Sequence, residues 1–307
     1  MKNILTSLAI VSCVGSTTLL AHALLTEPTI MQDRGAQRKQ AQQLLSDNNA
    51  AEALEIYKTL VEDDTNKDQD LSQDFSQAVS LLNQLNRMNE IDEFFEETVD
   101  RHADNWRLQA QGASLLANQN IATYGFIIAG KFERGNHRGG GQQADSTQRD
   151  RVRAMQLVLQ AIALMKQDDS ATPNDIAGVY DQLANLAGQS RHGEAWKLQS
   201  LTDLTTLPDH DQTQRYGRFG MGYSAQNGAP VNEDGDPILH AVPESWQAAT
   251  SDGERWRWAM EESVEALPSW RSQIDMQWAN FLQSQFGVNG GSFRPSPLND
   301  EGNDDAD

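Results

Sequence analysis

Cysteine is almost absent. The single residue, Cys13, lies in an N-terminal apolar run, and the remaining chain has none. That excludes disulfides, thiol catalysis and cysteine metal sites beyond that run. Basic charge is also scarce: 24 Lys and Arg stand against 44 Asp and Glu, a formal net charge of −20 over 307 residues. Nucleic acid and anionic membrane both need a basic surface, so neither is expected as a general partner. Catalytic signatures are missing too. No Gly-x-Ser-x-Gly elbow occurs. The glycine-rich Gly135–Gly141 segment lacks the Gly-Lys-Ser/Thr ending of a phosphate loop and follows no βαβ pattern. No cofactor and no metal are expected. Hydrophobic residues make up 38% of the chain, enough for a core only if they are well patterned.

What is present begins with an export signal. Residues 1–23 combine Lys2, an apolar run from Ile4 to Leu20, and the small-x-small site Ala21-His22-Ala23. Cleavage after Ala23 and a periplasmic or secreted protein are the expectation. The run is too short and too interrupted by Ser and Thr for a membrane span. Ile10-Val11-Ser12-Cys13 supports a rival reading as a lipoprotein box, and lipidation at Cys13 is the one route to a membrane.

Residues 24–130 read as helical-pair repeats. Ala41, Leu44 and Leu45 share one helical face, Asp47-Asn48-Asn49 is a turn, and Ala53, Leu54, Tyr57, Leu60 and Val61 recur at helical spacing. A small residue in each helix with an aromatic after the second resembles a tetratricopeptide unit. Phe75, Val79, Leu82 and Leu85 form a second stripe. A turn at Asn86–Asn89 leads to Ile91, Phe94, Phe95 and Val99. A third pair starts near Asn105 with Trp106, Leu108, Ala113, Leu115 and Leu116. Its second helix is predicted over Ile121–Ala129. Spacings near roughly 34 residues point to a short α-solenoid, with an irregular bundle as the alternative.

Residues 131–145 read as a glycine-rich basic loop, since three consecutive glycines, Gly139–Gly141, do not order themselves. Tyr124–Leu157 as a whole reads as a hinge. Helical pairs resume over 146–207, with Ser146 as N-cap of a long helix and Pro173 in the first turn of another. Residues 208–243 form an irregular segment in which Val231–Leu239 predicts a β-hairpin turning at Asp234-Gly235. Residues 244–288 are tryptophan-rich helices, opened by the capping signal Ser251–Glu254. Residues 289–307 read as a disordered acidic tail, with five acids from Asn299 to Asp307. The fold class is therefore mainly α: antiparallel helical pairs with a small irregular or β-hairpin insertion.

The candidate interaction residues are Arg134, His137, Arg138, Arg149, Arg151, Arg153 and Trp258. The basic residues stand out on an acidic chain and can hold acidic groups by charge-assisted hydrogen bonds, within the protein or on a partner. Arg149, Arg151 and Arg153 cannot share one face, because side chains two apart diverge by about 200° on a helix. Trp258 lies off the stripe that carries Trp256, which marks it for a surface role. His137 has no carboxylate patterned around it for acid–base work. Asn232, Asp234 and Asp236 imitate the start of a calcium loop, but Pro237 replaces its glycine and no closing glutamate follows, so a turn is expected. Asp209-His210-Asp211 reads as a solvated turn, because no second histidine sits nearby to complete a metal site.

Four stretches carry a family resemblance: Gly130–Gly135, Gln148–Leu157, Leu201–Leu204 with Leu207–Asp209, and Asp252–Ala259, closed by Phe281–Val288. They are similar to the N-terminal helical region of large bacterial alpha-2-macroglobulin-like proteins, over roughly Asn105 to Val288. The resemblance implies a helical module. The family's protease-trapping chemistry is not carried over, because the chain has no Cys-x-Glu-Gln and no room for the family's β-sandwiches. The expected function is an exported, non-enzymatic protein-interaction module. Its partner is a protein, for example a macroglobulin-like or envelope protein, and not nucleic acid. The alternative is a protein that binds or acts on cell-envelope glycans.

Overall fold

The computed structural model describes residues 33–67, 69–117, 121–137, 139–188, 193–211 and 228–287. The stretch expected to be a signal peptide, the acidic tail and Arg138 lie outside the described residues. Among those described, the protein is mainly helical with one small antiparallel sheet, as the apolar periodicity predicts. No described helix is long and apolar enough to cross a membrane.

Helices α1 (Arg34–Ser46), α2 (Ala50–Glu62) and α3 (Leu71–Gln84) pack on one another in chain order. The two predicted asparagine turns are helix stops. Asn48 and Asn86 both adopt positive φ, at 62° and 57°. Beyond them, Asn49 N–H donates to Leu44 O at 2.8 Å and Arg87 N–H to Leu82 O at 2.8 Å. These bonds satisfy carbonyls the helix ends would leave open, the closure usually made by glycine. α4 (Ile91–Arg101) and α5 (Trp106–Ala117) follow, and the predicted stripes Phe75/Val79/Leu82/Leu85 and Ile91/Phe94/Phe95/Val99 form the core, with Leu85 partly buried against it.

The structure departs from expectation after α5. The helix predicted over Ile121–Ala129 is instead strand β1 (Tyr124–Ile128). It pairs on one side with β2 (Lys131–Arg134) and on the other with β3 (Gln142–Asp145), both antiparallel. Aromatic and β-branched residues fill β1, and both favour the pleated backbone. Ala129 and Gly130, with φ of 51° and 82°, make a two-residue turn of the kind that suits a twisted hairpin. The predicted basic loop 131–145 therefore contains two strands, and the β insertion sits here. In the 208–243 region, Val231 pairs with Pro237 in an isolated bridge, and Gly235 takes φ 86° as the hairpin reading requires.

α6 (Thr147–Met165) returns to pack directly on α5, and α7 (Pro173–Ala187), α8 (Asp252–Ala266) and α9 (Arg271–Phe286) continue the array. Tyr124–Leu157 is thus not a hinge. The sheet is inserted between the two helices of the third pair, which stay in contact. One contiguous core runs from Ala41 to Phe281.

Candidate functional site

Where the inserted sheet meets the helices, a cleft of about 440 Å³ opens between α4, α6, β2 and the segment Leu207–His210. Arg134, the last residue of β2, forms its inner end and is 5% exposed. Its Nη1 and Nη2 donate to the two carboxylate oxygens of Asp150 on α6 at 2.9 and 3.0 Å. Nε donates to Asp92 on α4 at 2.8 Å, and Nη1 also reaches Ala122 O and Ser146 Oγ. Burial works against the guanidinium charge. Asp150 and Asp92 more than offset it, so the arginine is held even more firmly protonated than usual.

Ser146 precedes α6 as predicted, but its hydroxyl does not cap the helix. It faces Thr123 O and Asp150 Oδ2 at 3.0 and 2.7 Å, and the helix start is held by Asp145 Oδ1, which accepts from Thr147 N–H at 2.8 Å. The capping side chain has been recruited to the arginine.

The three arginines of α6 diverge as the helical angle requires. Arg149 and Arg153, one turn apart, share the cleft face. Arg153 grips Glu96 of α4 through Nε and Nη2, the latter at 2.6 Å. Arg149 donates from Nη1 to Pro208 O at 2.7 Å. No carboxylate among the described residues pairs with Arg149 or with the exposed Lys131. Arg151 points the opposite way. It donates to Leu186 O and Ala187 O at the end of α7, to Thr202 Oγ1, and to Asp252 at the start of α8 at 2.9 Å. Asp252 also accepts from Thr202 N–H at 3.0 Å, and Thr202 Oγ1 forms a further short bond to it. Arg151 is therefore a brace between three helices.

His210 is half-buried and not a solvated turn residue: its ring stacks on Phe132 with centroids 4.1 Å apart. Burial and the nearby Arg149 push its pKa below the usual histidine value. Next to it, Asp211 and Asp145 exchange backbone hydrogen bonds of 2.8 and 2.9 Å, stitching the segment to the sheet. His137 sits on the flank, with Nδ1 3.8 Å from Glu133 Oε2, a carboxylate the sequence pattern did not single out. Asn232 Oδ1 accepts from the N–H groups of Asp234 and Asp236, so it closes its own turn, as the turn reading predicts. No cluster of His, Cys, Asp and Glu suited to a metal occurs among the described residues.

Trp258 lies elsewhere, half-buried in the wall of a wider depression of about 940 Å³ beside Leu159 and Ile162 of α6. It meets Trp246 and Tyr180 edge to face, at 6.0 and 5.6 Å. Arg255 lies 4.8 Å over the Trp246 ring. Trp256, its neighbour on the opposite face, is 1% exposed.

Of the seven residues singled out, the fold brings Arg134, Arg149 and Arg153 to one cleft and sends Arg151 and Trp258 elsewhere. Lys131, Phe132, Asp92, Glu96 and Asp150 also line the cleft without having been singled out as candidates. The chain matches no protein-family model, no curated protein and no solved structure.

Proposed function

We propose that this protein is an exported, non-enzymatic interaction module that holds an acidic segment of a partner protein in the cleft beside the inserted sheet. Arg149 carries the proposal. It is a cation facing a cleft on a chain of net charge −20, and it donates to a backbone carbonyl where carboxylates are plentiful. An uncompensated arginine attracts an anion strongly when the surface around it limits hydration. The helical-pair array supports the reading, since stacked pairs present extended faces to partners. The N-terminal run read as an export signal, and the sequence resemblance to the helical region of macroglobulin-like proteins, favour a partner among exported or envelope proteins.

The test is affinity capture from a periplasmic extract with the wild-type chain and with Lys131→Gln/Arg149→Gln. The expected outcome is a specific acidic protein retained by the wild type, eluted by raised salt and lost with the variant. Equal recovery by both chains removes the reading.

A second reading, glycan binding, is favoured by one observation: the depression at Trp246 and Trp258 joins an apolar floor to the hydroxyl of Thr205 and the amide of Gln247. Retention on immobilised envelope glycan that is lost in Trp258→Ala supports it.

A further inference from the structure

The lining of the cleft narrows what its ligand can be, and this inference rests on the acidic-partner reading above. Four cations, Lys131, Arg134, Arg149 and Arg153, face three carboxylates, Asp92, Glu96 and Asp150, which leaves one net positive charge. Arg134 is shared by Asp150 and Asp92, a group of net charge −1, and Arg153 is neutralised by Glu96. Arg149 and Lys131 bring two positive charges against that group, so the net positive charge lies on their side of the cleft. The remaining wall is apolar, formed by Phe95, Leu116, Phe132 and Leu207, with the His210 ring laid on Phe132.

We infer that the cleft takes a single carboxylate carried next to an apolar side chain. The carboxylate meets Arg149, and the apolar group lies against Leu207 and Phe132. Three observations support this class. One net positive charge matches a monoanion. A phosphate carries about −1.5 to −2 charge near neutral pH and would confront three fixed carboxylates. Arg149 spends Nη1 on Pro208 O, and its remaining N–H groups form the planar edge that suits a carboxylate. Finally, a purely polar acidic ligand would leave the apolar wall wet and forgo the burial of about one leucine-sized side chain, worth about tenfold or more in affinity. The carboxylate can come from an internal Glu or Asp or from a chain terminus.

The experiment is fluorescence anisotropy with short labelled Gly/Ser peptides and the full chain. The arms carry internal Glu-Leu with an amidated end, Gln-Leu, Glu-Ser, a free C-terminal Leu, and phosphoserine-Leu. Glu-Leu or the free C-terminal Leu is expected to bind, and which one does identifies the source. Gln-Leu and Glu-Ser are expected to bind about tenfold more weakly or worse, since a hydrogen bond to a charged group and a buried leucine each carry about that factor. Arg149→Gln is expected to lose the carboxylate preference. Leu207→Ser is expected to weaken Glu-Leu and leave Glu-Ser unchanged, and Lys131→Gln gives a milder loss on an exposed residue that does not threaten folding. Binding of Glu-Ser equal to Glu-Leu overturns the inference, and so does phosphoserine-Leu binding tenfold tighter than Glu-Leu. If peptides show no apolar preference but captured protein still depends on Arg149, this inference fails while the acidic-partner reading stands. If neither depends on Arg149, both fail.

Discussion

Replacing Arg134 with alanine tests whether the inserted sheet is held by its buried ion pair. The Arg134 and Asp150 side chains are only 3% and 8% exposed, so solvent screening does not discount their interaction as it would on the surface. Asp92 is 44% exposed, so solvent screens its share more strongly. Arg134→Ala strands Asp150 in a buried site with only the Ser146 hydroxyl as donor. Breaking a buried pair by removing one partner costs about 3–5 kcal/mol, mostly from the charge left behind. At roughly 2–4 °C per kcal/mol for a domain of this size, Tm falls by about 10 °C. Urea unfolding followed by circular dichroism measures the change directly. Two companions identify the cause. Arg134→Ala/Asp150→Ala should lose less than the two single losses added together, because the double variant leaves no orphan charge. Arg134→Met/Asp150→Leu should come within about 1–2 kcal/mol of wild type, since apolar replacement of a buried pair is often neutral. A loss below about 1 kcal/mol for Arg134→Ala would refute the reasoning.

Other consequences are as direct. Asp252→Asn removes the charge that Arg151 and Thr202 share at the start of α8, and urea unfolding should show a loss of about 2–4 kcal/mol. Gly253→Ala places a methyl group 2.3 Å from the buried His240 ring, so the ring or the helix start must shift; a loss of about 1–3 kcal/mol is expected, and no change would mean that the ring moves freely. Both His210 and His240 have pKa values lowered below 6.5, chiefly by burial. The folded protein therefore binds fewer protons than the unfolded chain, and stability should fall as pH drops below about 6.5 while staying flat above it. Thermal unfolding at pH 7.5 and 5.5 measures this, and His240→Gln should flatten the dependence. Limited trypsin digestion should leave the bond after Arg134 intact until after exposed basic sites are cut, because its side chain is bonded to α4 and α6.

The helices were legible because their apolar residues recur at helical spacing, and the turns because asparagine accepts positive φ where the chain must reverse. Ile121–Ala129 was not. A nearly continuous apolar run satisfies helix and strand periods alike, and here the decision is made outside the run. Lys131–Arg134 and Gln142–Asp145 supply backbone partners to both sides of β1, and Gln142 and Gln143 show no strand preference of their own. The paired residues Ile128 and Lys131, with Ala-Gly between them, were the available signal. The same limit applies to the site. Arg149 and Arg153 share a face by local geometry, and Arg151 diverges from them, as the spacing required. Arg134 meets Asp92 across 42 positions and Asp150 across 16, and nothing periodic announces a contact at those separations.

The buried pair and the cleft are also linked by cause. α5 and α6 pack directly on each other, and Leu108, Leu115, Leu157 and Val158 share the core. The sheet needs something else to set its position, since β1 is five residues long and much of its surface is only half-buried. Arg134 supplies that position by engaging α4 and α6 at once, and its charge makes a misplaced sheet costly. In doing so it withdraws Asp92 and Asp150 from competition for the neighbouring cations, while Glu96 is taken by Arg153. Arg149 has no carboxylate partner among the described residues, while each acid lining the cleft already pairs with another arginine. The contact that docks the insertion thus also occupies two of the acids that line the cleft beside Arg149.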